Sequence, residues 1–181
     1  MLTLARNTIE SCFPGFKRVL PKLPDRKQKR VPLKLREKRA CFVTLSFNGQ
    51  LRGCIGHILP IQELYFDVIE NAKAAAFNDP RFPPLSASEL KNLEIEISVL
   101  SIPKPFSSSR SGDLTAYLGK NKPGVILKQG LSQATFLPQV WEDIPDPQKF
   151  LSHLSMKAGL LPDAWKNGVT IKLYEAEKIQ S

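Results

Sequence analysis

The pair Asn48-Gly49 constrains the fold of this chain more than any other two residues. It separates two runs of strand-forming composition, residues 41–47 and 50–55, and Asn-Gly is the dipeptide that best tolerates the positive φ angles of a two-residue type I′ turn. The two runs therefore form an antiparallel hairpin. Its returning arm, Leu51-Arg52-Gly53-Cys54-Ile55-Gly56-His57, has two glycines where a strand ordinarily carries side chains. Glycine inside a strand costs about 0.5–1 kcal/mol, so a glycine on each side of one thiol marks a place where something comes close to the backbone.

Counting back from a regular turn sets Phe47 against Gln50, Leu45 against Arg52, Val43 against Cys54 and Cys41 against Gly56. Facing residues share a side of the sheet, so Arg52 and Cys54 are expected to project among the apolar Cys41, Val43, Leu45 and Phe47. A guanidinium there needs a carboxylate or a route to water. The expectation is a positive, hydrogen-bond-rich spot beside Cys54.

At 181 residues the chain has room for one domain or two small subdomains. No apolar run reaches the ~20 residues of a membrane span, and the N-terminus lacks the pattern of a secretory signal. A cytoplasmic protein with no membrane partner is expected. Three widely spaced cysteines argue against a disulfide framework and for a reducing compartment.

The net charge of +9 is concentrated in residues 17–39, where eleven basic residues face Asp25 and Glu37, while elsewhere fifteen basic and fifteen acidic residues cancel. The core of that segment, Lys27-Gln28-Lys29-Arg30, lies among Pro21, Pro24 and Pro32 and reads as an extended loop. Lys27, Lys29 and Arg30 are candidate contacts for nucleic-acid phosphates, with a solvated loop as the alternative. No aromatic residue lies between Lys17 and Arg39 to stack on a base, which argues against sequence-reading RNA recognition.

Along the chain, residues 2–12 have helical spacing and stop at Pro14-Gly15. After the hairpin, Leu59-Pro60 opens a helix whose stripe is Ile61, Leu64, Tyr65, Val68, Ala72, Ala75 and Ala76. It runs into Asp79-Pro80-Arg81-Phe82-Pro83-Pro84, a turn stiffened by three prolines. Leu93, Ile95, Ile97 and Val99 alternate with polar residues as a strand. Residues 101–112 are rich in Pro and Ser and mark the best internal boundary. A short helix near residues 113–118, a second hairpin about Gln129-Gly130, a helix from Asp146-Pro147 to Gly159 and a last strand through Val169, Ile171 and Leu173 complete the chain. Strands joined by hairpins, with no Gly-rich phosphate loop after any of them, give an α+β fold of antiparallel sheets with flanking helices.

Seven blocks in order resemble the AMMECR domain family. They are Phe42-Val43-Thr44-Leu45, Leu51-Arg52-Gly53-Cys54-Ile55-Gly56, the run from Asn71 to Phe77, the Asp79–Leu85 turn, the strand from Ile95 to Ser101, Leu137-Pro138-Gln139-Val140 and Lys157-Ala158-Gly159-Leu160. The resemblance implies two subdomains of unequal size with a cleft between them at the LRGCIG stretch. The larger would hold residues 1–105 and 166–181, the smaller 106–165. It also implies work beside a Memo-type protein and a radical S-adenosylmethionine enzyme, while the family's own activity is unsettled. The basic loop lies outside the family pattern.

The candidate ligand-binding residues are Arg52, Gly53, Cys54, Gly56, His57, Asp79, Arg81 and Gln139. Arg52 and Arg81 sit beside glycine or proline, as expected where a planar donor fork is aimed at a carboxylate or phosphate; an Arg52 to Asp79 ion pair pinning turn to hairpin is the alternative. Gln139 offers an amide to the same site or caps a turn. Cys54 is the candidate nucleophile if its neighbours favour the thiolate, and a small apolar filler otherwise. Only His57 and His153 are available as bases, and His57 would face away from Cys54 on an extended strand. Cys54-Ile55-Gly56-His57 has C-x-x-H spacing, but Cys12 and Cys41 come singly, so neither a metal site nor a cofactor is predicted. The leading expectation is a binding component for an anionic small molecule, nucleotide or RNA group; a thiol-dependent enzyme and a basic-loop RNA or assembly module are the alternatives.

Overall fold

The computed structural model describes residues 1–15, 32–107 and 111–180. The chain divides into two compact units, Met1–Leu100 with Glu177–Ser181, and Ser101–Ala176. Both are mixtures of helix and antiparallel sheet, as the α+β assignment requires.

The first unit begins with α1 (Leu2–Glu10), which buries Ala5 and Ile9, and continues after a single turn, α2 (Leu33–Arg36), into β1 (Cys41–Phe47) and β2 (Gln50–Gly56). Asn48 at φ 52° and Gly49 at φ 75° make the turn that their chemistry favours. Next comes α3 (Leu64–Phe77), and then β3 (Leu93–Leu100), which pairs with β1 from Phe47 and Leu93 to Cys41 and Val99. Leu64, Val68, Ala72, Ala75 and Ala76 of α3 share one core with Val43, Leu45, Ile95 and Ile97.

The alanines let the helix come down onto the sheet, and Gly53 completes the fit. A Cβ added at Gly53 would overlap the carbonyl oxygen of Ala75, and one added at Gly56 would overlap the Phe42 ring. What approaches the backbone at these two glycines is therefore the protein's own helix and ring.

The hairpin register differs from the regular count. Pairing runs Phe47 with Gln50 and Ser46 with Leu51, then resumes at Leu45 with Gly53, Thr44 with Cys54, Val43 with Ile55 and Phe42 with Gly56. Arg52 is the extra residue of a β-bulge, and the side-chain period of two makes one extra residue exchange the faces beyond it. Gly53 and Ile55 take the core side, and Cys54 goes to the side of Thr44, away from Val43 and Leu45.

In the second unit β4 (Lys104–Pro105), α4 (Ser111–Asn121), β5 (Gly124–Gln129), β6 (Ser132–Phe136), α5 (Val140–Asp143), α6 (Pro147–Lys157) and β7 (Thr170–Tyr174) follow in order. The sheet order is β4-β7-β5-β6. Its core gathers Leu118, Leu127, Trp141, Phe150, Leu151 and Leu154. Asp146 caps α6 by accepting the Lys149 N–H at 2.8 Å, and Pro147 fills the first position, where no N–H is needed.

The last strand, β8 (Ala176–Gln180), returns to the first sheet, whose order is β2-β1-β3-β8. The unit boundaries thus fall after Leu100 and Ala176, not near residues 105 and 166. The physical reason is the ladder between β5 and β7, from Gly124 with Tyr174 to Lys128 with Thr170, which ties β7 to the second sheet. Among the described residues no helix is long and apolar enough to cross a membrane.

Gly53→Ala is expected to destabilise the protein by about 2 kcal/mol or more, the cost of overpacking against backbone that cannot rotate away. Urea unfolding of the variant measures it; an unchanged midpoint would mean that α3 does not lie on β2 as described.

Candidate functional site

The bulge brings the half-buried Cys54 to the outer face of the hairpin, where its sulfur accepts a hydrogen bond from Thr44 Oγ1 at 3.2 Å. Because β2 is an edge strand of its sheet, the backbone of Cys54 also has no strand partner on one side among the described residues. The turn after α3 supplies a substitute. Asp79 Oδ2 accepts the Cys54 N–H at 2.8 Å, and Arg81 Nη2 donates to the Cys54 carbonyl at 3.3 Å.

Asp79 and Arg81 are themselves joined as a fork. Arg81 Nε donates to Oδ1 at 3.0 Å and Nη2 to Oδ2 at 2.7 Å, while the Arg81 backbone N–H adds a third bond to Oδ1 at 3.1 Å. The Arg81 hydrogen bonds, helped by the N–H groups of Cys54 and Arg81, outweigh burial and hold the Asp79 carboxyl well below the usual carboxylate range. Asp79 is 4% exposed, whereas the Arg81 side chain is 54% exposed. One charge of the pair is buried, and the other faces water.

Arg52 is engaged elsewhere. Its Nε donates to Glu89 Oε1 at 2.6 Å, and Nη2 reaches Glu89 Oε2 and the Pro84 carbonyl, each at 3.3 Å. The ion pair considered between Arg52 and Asp79 is therefore replaced by two, Arg52 with Glu89 and Arg81 with Asp79. The bulge redirects Arg52, and Asp79 is already taken by the arginine two residues on. Glu89 is held in place by Ser86, whose N–H and hydroxyl each donate to Oε2 at 2.8 Å in a capping box that starts a 3₁₀ turn, Ala87–Asn92. Its carboxyl is pushed down to about 2, first by the Arg52 hydrogen bond and then by those from Ser86. The Phe82 ring lies 6.0 Å from the Arg52 guanidinium and 5.5 Å from that of Arg81, within cation–π range of both.

His57 follows Gly56 and turns to α3, where its Nδ1 is 2.6 Å from Oδ1 of the buried Asp67. Gln139 belongs to the second unit, directly before α5; it makes no side-chain cap, and its Oε1 is buried without a hydrogen-bond partner among the described residues. Lys27, Lys29 and Arg30 lie outside the described residues. Cys12 is exposed in the turn after α1, and Cys41 is buried in the first core. Among the described residues no group of three or more His, Cys, Asp or Glu side chains could hold a metal ion.

The site thus unites Cys54, Asp79 and Arg81 directly, with Arg52 and Glu89 as its outer brace. Glu89 and Asp67 were not singled out from the sequence. Both left a signal there: Ser86 followed three residues later by Glu89 is a capping box, and Asp67 and Asn71 stand three and seven places after Leu64, on the stripe that α3 buries.

The AMMECR1 family model matches residues 2–179. A protein of Methanosarcina barkeri is 39% identical over 177 residues, covering 96% of this chain and 85% of that protein. One from Methanocaldococcus jannaschii is 35% identical over 177 residues, with 96% and 84% covered. The crystal structure of an uncharacterized protein from Pyrococcus horikoshii superposes with a TM-score of 0.83 at 33% identity, covering 99% of this chain and 88% of that one.

Glu89→Gln tests the outer brace. The folded value near 2 lies below the ordinary 4.5, so the carboxylate stabilises the fold above pH 4.5 and loses that contribution as pH falls through the folded value. The variant is expected to be less stable by roughly 2 kcal/mol at pH 7, with the gap to wild type closing as pH falls toward 2. Urea melts across that range decide it, and a gap independent of pH would remove the charge from the explanation.

Proposed function

This chain belongs to the AMMECR1 family, and we propose that it is an intracellular binding component that holds an anionic group of a small molecule, nucleotide or RNA at Arg81, beside Cys54. The observation that carries this reading is the combination of fixed geometry and exposure at one guanidinium. A long charged side chain on a surface ordinarily loses rotamer freedom when it is held still. Arg81 is held still by a buried carboxylate and a main-chain carbonyl, yet its side chain remains 54% exposed.

A guanidinium has five N–H donors. Nε and Nη2 are used by Asp79 and the Cys54 carbonyl, and the two hydrogens of Nη1 have no partner among the described residues. They are pre-aimed donors for a phosphate or carboxylate oxygen. The paired Asp79 offsets part of the positive charge, so such a site favours orientation over tight binding. The Phe82 ring beside both guanidiniums adds an apolar wall. In this reading Arg52 is a brace and not a ligand contact, and the hard chemistry falls to the Memo-type and radical S-adenosylmethionine partners that the family resemblance implies.

A second reading, a thiol-dependent enzyme, draws on Cys54, a residue half-buried instead of sealed, whose sulfur accepts a hydroxyl hydrogen bond from Thr44. Alkylation of the folded protein with iodoacetamide separates the two. Rapid labelling of Cys54 near neutral pH promotes the enzyme, and a sulfur silent until unfolding removes it.

Thermal-shift screening with phosphorylated metabolites, nucleotides and short RNAs tests the binding reading. For any ligand found, Arg81→Gln is expected to weaken affinity by about tenfold to a hundredfold, the worth of charge-assisted hydrogen bonds. Unchanged affinity in a folded variant would place the ligand elsewhere.

A further inference from the structure

A second polar cluster lies at the other end of α3, built around Asp67, which is 1% exposed in the apolar face of that helix. Four donors converge on its two oxygens. Oδ1 meets His57 Nδ1 at 2.6 Å and Gln62 Nε2 at 3.1 Å; Oδ2 accepts the Cys41 backbone N–H at 2.7 Å and Asn71 Nδ2 at 3.0 Å. Gln62 also donates to Glu70 at 2.7 Å, and the His57 backbone N–H bonds the Cys41 carbonyl at 3.1 Å.

The network assigns the imidazole proton. Asn71 has two amide hydrogens, and Asp67 Oδ2 at 3.0 Å and the Cys41 carbonyl at 3.2 Å take them, so the approach of Asn71 to His57 Nδ1 at 3.3 Å is a contact without a hydrogen to share. The much shorter distance to Asp67 places the ring proton on Nδ1, donated to the carboxylate. In the neutral ring Nε2 then carries the lone pair. Nε2 has no partner among the described residues, and the His57 side chain is 35% exposed.

Fixing the strand to the helix explains Asp67, Asn71 and the Cys41 backbone, since the Cys41 N–H to Asp67 and the Asn71 amide to the Cys41 carbonyl do that without the ring. It does not explain why the fourth donor is the one side chain that turns a second, basic nitrogen toward water. We propose that His57 is a catalytic acid–base residue and Asp67 its positioning carboxylate, acting on a hydroxyl, thiol or water that approaches Nε2. The proton of that O–H or S–H passes to Nε2, and its electron pair stays on oxygen or sulfur, leaving an activated alkoxide, thiolate or hydroxide. The positive charge on the ring is balanced by Asp67 through the Nδ1 hydrogen bond, and return of the proton from Nε2 to an oxygen or sulfur anion restores the neutral ring. Gln62 and Asn71 are positioning residues, because they hold Asp67 and not the reacting atoms. The inference stands on the His57 geometry and does not depend on anion binding at Arg81.

The test uses the full-length protein and needs no identified substrate. Nitrogen-15 NMR of the two histidines reads the tautomer, with Nδ1 protonated and Nε2 bare expected for neutral His57. Acylation by diethyl pyrocarbonate reads the nucleophilicity of Nε2. His57 is expected to react at least about tenfold faster than the exposed His153, and Asp67→Asn to slow His57 by about tenfold or more while leaving His153 unchanged. Asp67→Glu should restore part of the rate. The proposal is overturned if neutral His57 carries its proton on Nε2, if His57 reacts no faster than His153, or if folded Asp67→Asn leaves its rate unchanged. Where that variant does not fold, the tautomer and the ratio of the two histidines in the wild-type protein decide alone.

Discussion

The first unit is organised by how closely one helix backbone rests on one strand. At Gly53 the sheet has no side chain, and the carbonyl of Ala75 occupies the space. That contact sets the height of α3, and with it the reach of two carboxylates. Asp67 lies in the first turn of the helix and Asp79 just past its last, about 18 Å apart along a helical rise. Each accepts one main-chain N–H of the hairpin, Cys41 in β1 and Cys54 in β2. A helix lifted by the width of a methyl group would draw both carboxylates away from those donors and leave buried charge short of partners, which is costly.

The two carboxylates differ in what they present outward. Beside Asp79 stands a guanidinium whose Nη1 has no partner among the described residues, and beside Asp67 an imidazole whose Nε2 has none there. In each case a buried anion orients a partly exposed cationic or basic side chain, so the interior fixes the position of a group at the rim. This division follows from cost: a short carboxylate with converging donors can be buried, whereas the charged head of a long arginine is more cheaply left near water. Arg52 shows the opposite outcome. With Glu89 bound on two nitrogens and its side chain 13% exposed, it serves the frame and not the surface.

Much of this was visible in the amino-acid order. Asn48-Gly49 named the turn, the apolar spacing named α6 and the body of α3, and the alternation from Leu93 named β3, because each signal is local; the start of α3 lies at Leu64 and not at Leu59-Pro60, and Ile61 is exposed before it. The gap at Gly53 and Gly56 was also legible as a close approach, but its occupant was not, since Ala75 lies more than twenty residues away in sequence. The face of Cys54 was misassigned because a bulge leaves no mark in composition; Arg52 is the extra residue, and a count by twos cannot detect it. The partner of Arg52 was missed for a related reason. Several carboxylates could meet it, and only the folded path of the Pro83-Pro84 turn brings Glu89 there. β8 escaped notice because its residues are largely exposed and offer little apolar periodicity.

The way the outer rim of β2 is filled has a consequence for the molecule in a crowded solution. A sheet border with open amides and carbonyls is a template on which a foreign strand can zip up, and long hairpins are prone to it. Here the acid and the base of one short turn occupy the docking points at Cys54, imitating a neighbour that never arrives. The same two side chains that arrange the surface around the thiol thus also guard its strand against seeding polymers.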